Sequence, residues 1–182
     1  GATQKFADIA NGQSGGGAWC SSPAAVVSNC VFTYNSANFD GGGVSSGTLF
    51  NCVLSGNSAQ EGGGAYAATL NKCTLSNNVA SIGGGAILGS LSNCVLSGNS
   101  SSYGGGSSAA SLVNCVLRGN SALEGGGARQ GTLLNCTVIG NSALNTGGGT
   151  YGSVLTNCIV YFNSATTNAA GANYDTNNSS MT

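Results

Sequence analysis

Apolar positions recur along this chain in short alternating runs that no helix would produce. Three residues before each of seven cysteines stands an aliphatic side chain: Val27, Leu49, Leu70, Leu91, Leu112, Leu133 and Leu155. Two residues after each stands a large apolar one: Phe32, Leu54, Leu75, Leu96, Leu117, Val138 and Val160. The positions between are mixed, as expected of strand side chains that face outward. The step from the aliphatic residue to the cysteine is odd, so a corner lies between them. The residue just before the cysteine is asparagine at 29, 51, 93, 114, 135 and 157, with Lys72 the exception. Asparagine tolerates the left-handed backbone that a sharp corner needs. Each unit predicts three short strands: one after a glycine triplet, one ending at the aliphatic residue, one starting at the cysteine.

Three columns share one period. Glycine triplets begin at Gly15, Gly41, Gly62, Gly83, Gly104, Gly125 and Gly147, and the cysteines are Cys30, Cys52, Cys73, Cys94, Cys115, Cys136 and Cys158, mostly 21 apart. Five residues after each cysteine comes an asparagine: Asn35, Asn57, Asn78, Asn99, Asn120, Asn141 and Asn163. Helical repeats run from ~33 residues upward, and each glycine costs a helix ~1 kcal/mol relative to alanine. The fold expected is all-β: a single-stranded parallel β-helix, or β-solenoid, of about eight coils stacked ~4.8 Å apart in a rod roughly 40 Å long. One domain covers residues 1–182, with a worn half-coil at 1–14 (Ala7, Ile9, Asn11), regular coils over 15–168, and a terminal coil with a polar tail at 169–182. The asparagine column is expected to form a buried hydrogen-bonded ladder.

Composition then narrows the chemistry. Charged residues make up 5 % of the chain, the net charge is −1, and there is no histidine. That excludes a histidine base and histidine-ligated zinc or haem. Four scattered cations give no footprint for nucleic acid, which needs clustered Lys and Arg. No apolar run approaches the ~18 residues of a membrane helix, so membrane insertion is not expected. Low charge can signal disorder, but 41 % of the residues are hydrophobic, and disordered chains lack such residues.

Eight cysteines suggest a disulfide framework, yet seven fall in one inward column whose neighbouring Cβ atoms would lie ~4.8 Å apart, just beyond the usual disulfide range. A stack of buried thiols acting as small hydrophobes is the favoured reading, with disulfides between some neighbouring coils as the alternative. A linear stack offers no tetrahedral metal site, so no metal or cofactor is expected. Cys20 lies outside the column, and a bridge from Cys20 to Cys30 is the candidate pin for the N-terminal end.

Gly84-Gly85-Ala86-Ile87 and Phe32-Thr33-Tyr34-Asn35 have the form of the GGAI and FxxN motifs of the chlamydial polymorphic outer-membrane proteins. The unit LxNCxLxGNSAxxGGG resembles that family and related bacterial β-helix repeat proteins over about residues 15–175. The resemblance implies a right-handed coil and a secreted, surface-exposed and often adhesive protein.

The outward columns hold the remaining candidates. Asp40 and Glu61 precede consecutive triplets, spaced like the ~5 Å carboxyl pair of a retaining glycosidase. The pair stands alone in its column, and Arg118 and Arg129 belong to distant coils, so polysaccharide cleavage is only a third reading and no catalytic residue is assigned. Trp19, Tyr66 and Tyr151 share an outward column and could stack on sugars, but Ser45, Ile87, Ser108 and Arg129 interrupt it, so ordinary exposed residues on a β face are the favoured reading. Threonine is too sparse for an ice-binding face. Val31, Val53, Val95, Val116 and Ile159 form a β-branched stripe almost without charge, the kind of surface that marks partner contact. The two ends lack an amphipathic cap of the kind that closes isolated solenoids. The expectation is a non-enzymatic extracellular or cell-surface protein whose partner is itself, stacked head to tail into a filament. The alternative is an adhesin that binds a glycan or host surface.

Overall fold

The structure, a computed structural model, describes residues 13–167, 169–174 and 180–181. Seven coils of about 21 residues stack in parallel, beginning at residues 15, 41, 62, 83, 104, 125 and 147. Residues 171–174 and 180–181 add part of an eighth layer. The half-coil expected at 1–14 falls mostly outside the described residues.

Coils three to six each have four strands and four corners rather than three, and coil two has single bridges in place of the fourth strand. Sheet I follows the glycine triplets and runs from Ala18–Trp19 to Thr150–Tyr151. Sheet II carries the aliphatic column from Val26–Ser28 to Val154–Thr156, and then Ser180–Met181. Sheet III starts after the cysteines and runs from Val31–Thr33 to Ile159–Tyr161. Sheet IV, which the hydrophobic pattern does not announce, follows the asparagine column from Val79–Ile82 to Ser164–Ala165. Single bridges extend it back to Ser36. The register holds each column: Leu49 pairs with Leu70, and Leu70 with Leu91.

The corners explain the sequence columns. In coil two, positive φ angles occur at Gly41 (64°), Ser46 and Gly47 (64° and 85°), Asn51 (52°) and Gly56 (64°). Lys72 takes the same left-handed turn at 53° where the other coils use asparagine. Within a triplet only the first glycine needs a positive φ. The second is glycine for space, because a Cβ on Gly84 would run into the backbone carbonyls of Ser100 and Gly105.

The core is thin and layered. Sheets II and III contribute Leu49, Leu70, Leu91, Leu112, Leu133, Leu155 and Leu54, Leu75, Leu96, Leu117, Val138, all buried. The facing positions are small: Val44, Ala65, Ala86 and Ala128 in sheet I, and Ala80, Ala143 and Ala165 in sheet IV. Burial of a leucine side chain contributes ~2 kcal/mol, so the stabilisation repeats with each added layer.

Candidate functional site

The two inward columns are continuous. In the asparagine ladder, Asn78 Oδ1 accepts from the backbone N–H and the Nδ2 of Asn57, both at 3.0 Å. Asn78 Nδ2 donates to the Leu54 carbonyl and to Asn99 Oδ1, both at 2.9 Å. The same bonds link Asn35, Asn57, Asn78, Asn99, Asn120, Asn141 and Asn163. At its end Asn173 Oδ1 accepts from the N–H and Nδ2 of Asn163, both at 3.2 Å. Asn173 was not expected in the ladder, since it lies ten residues after Asn163 rather than about 21. The signal available was the ladder's own need for a final acceptor.

All eight cysteines are free thiols. Cys52, Cys73, Cys94, Cys115 and Cys136 are buried, and Cys30 and Cys158 are half-buried at the ends of the column. Each buried thiol donates to carbonyls, as Cys94 does to Ser92 at 3.2 Å and Leu70 at 3.6 Å. The backbone N–H groups of Cys52 and Cys73 point at the next sulfur at 3.4 Å. Burial pushes the Cys52 thiol up. Deeper in the column the thiols titrate together: Cys94 and Cys136 are pushed up, each through its hydrogen bond with Cys115. Cys73 and Cys115 are drawn down by the hydrogen bonds from Cys94 and Cys136. The Cys20–Cys30 bridge is not formed. Cys20 follows Ala18–Trp19 at the turn into sheet II, with its sulfur against Gly47 of the next coil, whereas Cys30 begins sheet III.

On the outside, Asp40 and Glu61 pair as neighbours in a parallel bridge, and Ser14 Oγ donates to Asp40 Oδ2 at 3.3 Å. Burial first, then these two carboxylates, push the Tyr66 phenol up. Among the described residues no group of three or more His, Cys, Asp or Glu is placed to hold a metal. A second cluster combines columns that the sequence keeps apart. The Arg129 guanidinium lies 4.9 Å from the Tyr103 ring centroid and 5.8 Å from that of Tyr151, and its Nε is 3.6 Å from Glu124. Tyr66 and Trp19 stand in the same sheet I column but in coils three and one, away from this group.

The stripe lies in register in sheet III: Val31, Val53, Thr74, Val95, Val116, Thr137 and Ile159, every one β-branched. Its exposure is greatest at the ends, 67 % at Val31 and 64 % at Ile159. The end coils also carry aromatic residues at the corner after sheet III, Tyr34 and Phe162, where coils two and four to six have glycine and coil three has Asn77. No protein-family model matches the chain, and no curated protein or solved structure matches it significantly.

Proposed function

We propose that this chain is a non-enzymatic extracellular structural protein that stacks end to end into a filament. One observation carries the reading: among the described residues, sheet III is outermost at both ends of the stack, Val31–Thr33 at one and Ile159–Tyr161 at the other, and presents there the same cross-section that every interior coil uses to bind its neighbour. At one end Cys30 and Phe32 are half-buried, and at the other Cys158 and Val160 are, while their interior equivalents are sealed. In sheet III the C-terminal edge strand of one copy matches the N-terminal edge strand of the next, as successive strands of that sheet match inside the stack. Coil seven carries no charged residue between Gly147 and Thr167, so no charge on its surface opposes a second copy. The outward setting rests on the likeness of the repeat unit to secreted β-helix proteins. The buried thiols suit it, because the interior column is closed to oxidants.

Sedimentation across a concentration series, with electron microscopy of the same samples, tests the proposal. Filaments that lengthen with concentration are expected. A monomer at every concentration, with no filaments, would overturn it.

A second reading, a glycan-binding surface, is favoured by the Tyr103–Arg129–Tyr151 group, since aromatic faces flanking a cation and a carboxylate suit a polar ring. Saturable binding on a glycan array, lost in Arg129→Ala and Tyr151→Ala, would support it.

A further inference from the structure

Cys30, Cys52, Cys73, Cys94, Cys115, Cys136 and Cys158 occupy equivalent places in successive layers. The carbonyl of each of the first six accepts from the residue after the next cysteine, from Val53 onto Cys30 to Ile159 onto Cys136, at 2.9 to 3.0 Å. The thiols share one orientation as well. From Cys52 to Cys158 each donates to the carbonyl two residues before it, at 3.2 to 3.3 Å. Each also donates to the aliphatic-column carbonyl of the coil before, at 3.4 to 3.7 Å. Equivalent backbones and equivalent side-chain settings put the sulfurs in file along the axis, one layer spacing of ~4.8 Å apart. Neighbours are within reach of one another: Cys94 hydrogen-bonds with Cys73 and with Cys115, and Cys115 with Cys136.

Thiolates are soft ligands, and soft closed-shell ions such as Cu(I) select them. Two metal–thiolate bonds of ~2.3 Å placed in line span ~4.6 Å, close to the ~4.8 Å between layers. Zinc needs four ligands at tetrahedral angles, which a file of sulfurs lacks. An ion that takes two ligands in line finds them in every gap. The N–H groups of Cys52 and Cys73, aimed at the next sulfur at 3.4 Å, favour the thiolate form there.

We propose that the thiol column is an axial site for a soft monovalent metal ion of the Cu(I) class, with one ion between each pair of consecutive sulfurs. Seven cysteines make six seats, the first between Cys30 and Cys52 and the last between Cys136 and Cys158. Filling a seat breaks one S–H bond, releases its proton to solvent and joins the ion to two sulfurs; no electron changes hands. A single ion held by two thiolates would leave one negative charge in the core, where an unpaired charge is costly. Neighbouring seats share a thiolate, so six ions on seven sulfurs displace six protons and the interior gains no net charge. The seventh proton stays on Cys30 or Cys158, the half-buried ends of the file. Filling is therefore cooperative, and it starts from those two ends.

Anaerobic titration of the folded full chain with Cu(I), read by native mass spectrometry and X-ray absorption, tests the site. The metal-free and six-ion species are expected to dominate, each copper with two sulfur neighbours, while circular dichroism keeps its β-sheet signal. Zn(II) is expected not to bind. Cys94→Ala splits the file into two runs of three sulfurs with two seats each, so capacity should fall from six ions to four. Cys30→Ala, at a half-open end where the fold has least to lose, should lower it to five, and Cys20→Ser, outside the file, should leave six. No uptake by the folded chain overturns the axial site, as do three sulfurs around each copper or six ions still bound in both alanine variants. Uptake that comes only with loss of the β-sheet signal overturns it too, because the sulfurs then bind as an unfolded chain.

Discussion

Coils two to six and the two end coils are built from the same columns, yet the same residue types behave differently in them. The interior thiols and ladder asparagines are sealed, while Cys30 and Cys158 are half-open and Asn35 and Asn163 are slightly exposed. Interior coils mostly turn from sheet III to sheet IV on glycine; the end coils place Tyr34 and Phe162 there, 85 % and 71 % exposed, in the same left-handed conformation. Tyr34 lays its ring where a Cβ on Gly56 of the next coil would stand. The difference teaches that a coil has almost no stability of its own: what buries a side chain here is the layer above and the layer below.

The comparison breaks most easily in the ladder. Asn99→Ala removes partners from Asn78 N and Nδ2, the Leu75 carbonyl and Asn120 Oδ1. At about 1 kcal/mol or more for each buried group left unmade, the loss is about 4 kcal/mol. In Asn163→Ala at the partly open end, water reaches the same groups, so urea denaturation should show a loss about half as large. Equal losses would mean that position along the stack does not matter.

Glycine substitutions come next. Gly84→Ala drives a Cβ into two carbonyls and is expected to cost about 3 kcal/mol in the same assay. Gly140→Ala has a positive φ but nothing within 4 Å, so only the left-handed cost of about 1 kcal/mol applies.

Two substitutions should stabilise. Ser107 Oγ is buried without a partner between Ala86 and Ala128, its neighbours in the sheet I column, and Ser107→Ala is expected to gain about 1 kcal/mol. Leu88, exposed and at a φ of 54°, is strained. Leu88→Gly relieves that strain but loosens the unfolded chain, for a net gain of about 0.5 kcal/mol, read as a small rise in Tm.

What the sequence revealed follows from which contacts select residue type. The ladder and the asparagine corners were legible because only a side-chain amide bridges two layers and only Asn or Gly sits easily at φ near 54°. Lys72 shows that the neighbouring layers hold the turn even without that preference. The fourth corner was not legible: Ser46, Ala67, Leu88, Ala109 and Gln130 share a backbone angle but no chemistry, because the ladder bonds on either side impose it. Sheet IV was hidden for a related reason, since its inward residues are small alanines that give no strong apolar alternation. The thiol column lies inward, where period-two alternation puts it, and Cys20 and Cys30 are free thiols, because proximity in sequence does not carry Cys20 around the corner. The Tyr103–Arg129 contact joins two columns that sequence spacing treats as separate.

The asparagine ladder also makes the rod an electrically polar object. Every Nδ2 from Asn35 to Asn141 donates toward the C-terminal end, so the side-chain amide dipoles add along the axis as peptide dipoles do in a helix. The two ends therefore differ in sign as well as in shape. Two rods meeting head to head would set like poles against each other, and only the head-to-tail encounter brings opposite poles together.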